Sequence, residues 1–142
     1  MDTKEYLSQV SSLEKKIQNK LTEIYQLKSM VYNVTVYNDR ERVQTSSDKD
    51  RLGSTVAKIV DMEKEIDALV EKFMEKRNHI ISQIEGIEDT KMYHVLFSRY
   101  VGGKTFDDIA TEMFYSRMQI NRLHGKAITE FEKRYGAEYL DS

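Results

Sequence analysis

Not one of the 142 residues is a proline. Proline is the residue a helix interior absorbs worst, because it lacks an N–H and its ring collides with the preceding turn. A chain of average composition would carry about seven. Nothing here is obliged to end a helix, and the apolar residues fall where long helices need them. Tyr6, Val10, Leu13, Ile17, Ile24, Leu27 and Val31 alternate in steps of four and three from Thr3 to about Val31, with Lys20 in the one vacant slot. Val56, Ile59, Ile66, Val70, Phe73, Ile80, Ile84 and Ile87 repeat the pattern, interrupted by Glu63 and Arg77 and widened by Met62 and Leu69. This is heptad spacing, which aims one stripe of a helix at another helix along its whole length. Two such segments of similar length predict an antiparallel coiled-coil hairpin over residues 1–87. Pairing between chains is the competing arrangement, and the two are compatible.

Between the stripes, Asn33 to Ser54 shows no period. Asn33, Asn38, Asp39, Thr45, Ser46, Ser47, Asp48 and Gly53 are turn and capping residues. Val34, Val36 and Val43 are candidates for a short extended patch. A long loop is expected at about 33–54, with the second helix starting at Asp50 or Ser54. Connections of that length in compact domains are uncommon unless they are functional or mobile.

Composition removes several classes of function. Without cysteine there is no disulfide scaffold, thiolate zinc site or cysteine nucleophile. No uninterrupted apolar run exceeds three residues, as in Val95-Leu96-Phe97. A membrane span needs about twenty, and a secretory signal needs more apolar content than the start of this chain offers. The expectation is a soluble, cytoplasmic protein with no membrane partner. A net charge of −2 argues against indiscriminate binding of polyanions, although local charge matters more than the total.

After Gly86 the pattern changes. Asp89 and Thr90 are cap candidates for a helix over Lys91 to about Val101, which Gly102-Gly103 ends. Thr105 caps a second helix with Asp107 and Asp108 in its first turn, where carboxylates suit the helix dipole. A short break at Phe114-Tyr115 precedes Ser116, the cap of a third helix running to about Arg134. Gly136 closes it, and 137–142 are expected to be a tail. The last two helices are joined so tightly that they must pack steeply. Ile109 and the small Ala110 face inward from the first, Met113 plugs the turn, and Ile120, Leu123, Ala127 and Ile128 form the inner face of the second.

The charges are placed selectively. From Met113 to Thr129 there are seventeen residues without an acid but with Arg117, Arg122 and Lys126, in a chain that is 32% charged and nearly balanced. Gln119, Asn121 and His124 are expected on the same exposed face. Arg, Gln and Asn are the side chains that form paired hydrogen bonds with guanine and adenine edges in the major groove. Ser116 and the helix N-terminus offer donors to a phosphate, and Arg99 and Lys104 are further candidates for backbone contacts. The competing interpretation is an ordinary three-helix bundle with a solvated basic face.

Leu96, Arg99, Tyr100, Gly103, Thr105, Ile109, Ala110, Met113, Ser116, Ile120, Leu123, Ala127 and Ile128 together form a pattern that resembles region four of bacterial sigma factors. That domain is a helix-turn-helix that binds promoter DNA. Over most of its length the chain further resembles small phage proteins grouped with the ArpU-type and RinA-type transcriptional regulators. The sigma-like resemblance implies base contacts from Arg117, Gln119, Asn121 and Arg122, with Ser116 and Lys126 on phosphates. Two positions depart from it. Met118 stands where the pattern has an acidic residue, and Phe114 stands where the turn has Gly, so a modified turn is expected. Nothing resembles the sigma region that melts promoter DNA.

Other chemistry is not supported. His79, His94 and His124 show no ligand spacing. Gly102-Gly103-Lys104-Thr105 lacks the upstream glycine and preceding strand of a phosphate-binding loop. No active site, cofactor or metal is expected. The expectation is therefore an all-α protein, with a helical hairpin over 1–87 and a sigma-region-four-like helix-turn-helix domain over 88–136. Its expected function is sequence-specific regulation of transcription on double-stranded DNA. A single helix-turn-helix contacts few bases, so a homo-oligomer through the N-terminal helices is expected, with RNA polymerase as a further partner. The alternative is a coiled-coil structural or adaptor protein, or a DNA-packaging small subunit.

Overall fold

The computed structural model describes the backbone of residues 1–41 and 46–142 and the side chains of 1–33 and 49–142. Helix α1 runs over Thr3–Glu41 and α2 over Ser46–Glu85. The loop expected at about 33–54 is thus helical up to Glu41 and again from Ser46, and residues 42–45 lie outside the described residues. Val34 and Val36 fall within α1, and Val43 is outside the description. Asn, Asp, Ser and Thr each cost a helix interior at most about 0.7 kcal/mol, and a nucleated helix extends cheaply. Only proline would have forced a stop.

Helix α3, Thr90–Leu96, opens on Asp89, whose carboxylate accepts from the Met92 amide. It continues into a π-helical turn, Phe97–Val101, in place of the plain α-helix expected there. The Gly102 amide reaches back to the Phe97 carbonyl at 2.9 Å. A Cβ at Gly102 would sit 2.8 Å from the Ser98 carbonyl oxygen, and Gly103 takes a positive φ of 67°, so both glycines are required by the backbone. Helix α4, Phe106–Met113, is capped by Thr105, and α5, Arg117–Tyr135, by Ser116. All elements among the described residues are helical.

The chain divides into two compact units, residues 1–13 with 73–142, and residues 14–72. This differs from the expected boundary after residue 87, because the ends of α1 and α2 share a core with the later helices. In the first unit Tyr6, Leu7 and Val10 meet Ile80, Ile84 and Ile87, and the same cluster takes in Leu96, Tyr100, Ala127, Phe131 and Tyr139. A second cluster, Val95, Ile109, Ala110 and Ile120, with Met113 and Leu123 at its edge, joins α3, α4 and α5.

Residues 137–142 were expected to be a tail, yet a short 3-10 turn at Gly136–Glu138 leads into the unit. Tyr139 stacks on Tyr6 at 4.1 Å, and its hydroxyl pairs with Thr3 at 2.8 Å. A small core gains much from one more aromatic ring. Glu138 accepts from Gln83 at 2.7 Å and pairs with His79.

In the other unit, α1 and α2 pair through Ile24, Ile59, Met62 and Ile66, flanked by Leu27 and Val31. Lys20–Glu65 and Lys28–Glu63 pair at 3.0 Å across the two helices. No described helix is long and apolar enough to cross a membrane.

Candidate nucleic-acid interface

The candidate residues sit on α5, and its geometry begins at the turn before it. The amide of Tyr115 bonds the Ala110 carbonyl at 2.9 Å, closing α4 with a turn in which Phe114 is left-handed, at φ 59° and ψ 37°. The modified turn expected from a bulky residue here does not occur. Phe114 adopts the conformation usually given to Gly, and its ring points into solvent, 94% exposed. Three residues, Phe114 to Ser116, therefore suffice to join α4 to α5.

Ser116 closes a capping box. Its hydroxyl accepts from the Gln119 amide at 3.1 Å, while the Gln119 side-chain oxygen accepts from the Ser116 amide at 2.8 Å. Reciprocal bonding of this kind satisfies two donors that helix starts otherwise leave open. Gln119 is thereby committed to the helix terminus, as is the Ser116 amide that sequence reasoning offered to a phosphate. The capping box was legible in the spacing of Ser116 and Gln119.

Arg117 is also engaged. Its guanidinium pairs with Asp107 at 2.9 Å, donates from Nε to Asn121 Oδ1 at 3.1 Å, and lies 5.1 Å from the centre of the Phe106 ring. Arg99 lies 4.5 Å from the same ring and donates to the Lys104 carbonyl. Lys104, a candidate for backbone contact, is held by Glu112 at 2.8 Å. Asp107 and Phe106 were missed as organisers of this surface, because only the fold brings the start of α4 beside the start of α5.

Arg122 and Lys126 stand apart from this network. Both are exposed, neither forms an ion pair among the described residues, and the Arg122 guanidinium touches only the Met118 sulfur at 3.7 Å. With Asn121 and Gly125 they border a shallow groove that also includes Thr129 and Glu130.

His124 does not belong to the exposed face, contrary to expectation. It is buried at 7% exposure, bonded through Nε2 to the Tyr100 hydroxyl at 2.7 Å, with the Phe106 ring against its edge. Burial, with Lys4 and Arg99 nearby, pushes its pKa down to about 4, so the ring is neutral at pH 7. Burial likewise raises the Tyr100 hydroxyl to about 12. Among the described residues no cluster of His, Asp and Glu could hold a metal.

Comparison of the chain with known protein families, with curated proteins and with solved structures finds no match in any of the three.

Proposed function

We propose that the chain is a sequence-specific DNA-binding regulator of transcription, phage- or prophage-encoded, that lays α5 in the major groove. One observation carries this proposal. The exposed side of α5 is free of acids from its start to Thr129 and presents Asn121, Arg122 and Lys126 to solvent. Proteins that read DNA need such a face, with forked or amide side chains for base edges and a cation for phosphate. The resemblance to sigma region four supports the same assignment.

The geometry divides the six candidates. Asn121 and Arg122 read bases, Lys126 contacts phosphate, and Ser116 with Gln119 fixes the helix start. Arg117 reaches DNA by exchanging Asp107 for a base or phosphate. Both partners of that ion pair are half-exposed or more, so the exchange costs little. A homo-oligomer through α1 and α2 supplies the second half-site. Its support is the apolar surface left open on these helices, including Leu21, Tyr25, Val56 and Val60. The same surface favours the adaptor or packaging alternative, in which assembly rather than DNA reading is the task. RNA polymerase is the further partner that a promoter-binding role implies.

Selection of bound duplexes from a random pool tests the proposal. One enriched motif is expected, with Arg122→Ala weakening binding to it by about 1–3 kcal/mol and Lys126→Ala weakening all sequences alike. Equal losses on enriched and random DNA for both variants would sink the assignment. A ring-sized oligomer without a motif would favour packaging.

A further inference from the structure

A second cleft in the first unit shares Asn121 and Gly125 with the groove beside Lys126, and the rest of its lining plays no part in the DNA-reading role. It encloses about 560 Å³, within the range of small-ligand sites. One wall is the start of α1, where Lys4, Ser8, Ser11 and Ser12 follow helical spacing down a single stripe. The opposite wall carries Arg99, Tyr100, Phe106, Asn121 and His124.

Three features give this cleft a chemistry. No carboxylate lines it, although acids outnumber bases in the chain by 24 to 22. Lys4, Ser8, Ser11 and Ser12 form no side-chain hydrogen bond or ion pair with any described residue, so an ammonium and three hydroxyls remain available. Arg99 is already oriented: one nitrogen bonds the Lys104 carbonyl and the guanidinium plane rests on Phe106, leaving its other N–H groups unused. Burial is the main cause of the depressed basicity of His124, and Lys4 and Arg99 add to it from the same side.

We propose that this cleft binds phosphate groups, with Lys4 and Arg99 supplying charge and Ser8, Ser11 and Ser12 supplying hydrogen-bond donors. Cations flanked by short hydroxyls match a phosphate, which is compact, multiply charged and an acceptor on every side. The phosphate comes from a free phosphate ester or from the backbone of a nucleic acid.

The test is calorimetric titration of the full chain with inorganic pyrophosphate at low salt. Saturable binding is expected, and Lys4→Ala and Ser11→Glu should each weaken it by roughly tenfold or more, the first by loss of a charged contact and the second by placing a carboxylate against the anion. Ser11 is an exposed helical position, so the Glu variant should fold, which far-ultraviolet circular dichroism checks. Lys64→Ala, an equal change of charge in the other unit, should have no effect. Absence of saturable binding, indifference to Ser11→Glu, or an equal loss in Lys64→Ala would each overturn the site. Adding a random-sequence duplex identifies the source: displacement of pyrophosphate points to nucleic-acid backbone, and simultaneous binding to a small phosphate ester. Because pyrophosphate binding requires no base reading, its failure would leave the role of α5 standing, and success would not depend on that role.

Discussion

Phe114 holds the one positive φ among the described residues other than glycine, at 59°, and its ring is 94% exposed. A left-handed conformation costs an L-residue roughly 1–2 kcal/mol, and an exposed ring recovers little of that by burial. Phe114→Gly removes the steric cost and adds a smaller entropic one, so it should stabilise the fold by up to about 1 kcal/mol. Phe114→Val, β-branched at the same site, should destabilise it by about 1 kcal/mol or more. Thermal denaturation of the three proteins should rank Gly above Phe above Val. His124 gives a second test at this scale. Its folded pKa of about 4 lies below the ordinary 6.5, so the unfolded chain takes up a proton first as pH falls. Stability from this group is complete above pH 6.5 and is lost progressively down to about pH 4, by on the order of 3 kcal/mol in all. Chemical denaturation at pH 7.5 and pH 5 should show about 2 kcal/mol of that loss, and His124→Gln should flatten it.

Helices α4 and α5 depend on a narrow set of contacts. Ile109 and Ile120 are fully buried and face each other's helices with Val95 and Ala110. Ile120→Ala should cost about 2–5 kcal/mol in denaturant unfolding, the usual penalty for a cavity at a site with little room to collapse. These contacts were legible in the sequence, because helical spacing alone puts Ile109, Ala110, Ile120 and Ala127 on inner faces. Thr105 and Ser116 were legible as caps for the same reason, since capping chemistry acts within four residues. Other features depend on neighbours distant in sequence and left no local trace. The acid-free run from Met113 to Thr129 suggested an open cationic face, yet Arg117 is drawn to Asp107 and His124 is drawn inward by Tyr100 and Phe106. The loop expected at about 33–54 failed differently. Asn, Asp, Ser and Thr are only weak helix breakers, and without proline nothing in the described part of this stretch compels a break.

At the scale of the whole molecule the two units are unequally built. The largest fully buried side chains, among them Phe131, Leu7, Ile80, Ile84, Leu96, Ile109 and Ile120, all belong to the unit of residues 1–13 and 73–142. Residues 14–72 bury Ile24, Ile59, Met62 and Ile66 less completely, and leave Leu21 51%, Tyr25 73% and Val60 45% exposed. Its ion pairs, Lys20–Glu65 and Lys28–Glu63, are exposed and each contribute at most about 1 kcal/mol. Local opening follows buried apolar contact, so amides of residues 14–72 should exchange with solvent deuterium well before those of α3 to α5. The proposed oligomer adds a condition to this. A second copy laid on the exposed apolar surface stabilises the paired helices by mass action, so their protection should rise with protein concentration. The core amides of the first unit should not respond in the same way. Hydrogen exchange followed by mass spectrometry at two concentrations a hundredfold apart separates the cases. Concentration-dependent protection confined to 14–72 is the outcome expected of association through α1 and α2, and protection that ignores concentration would remove those helices as the oligomer contact.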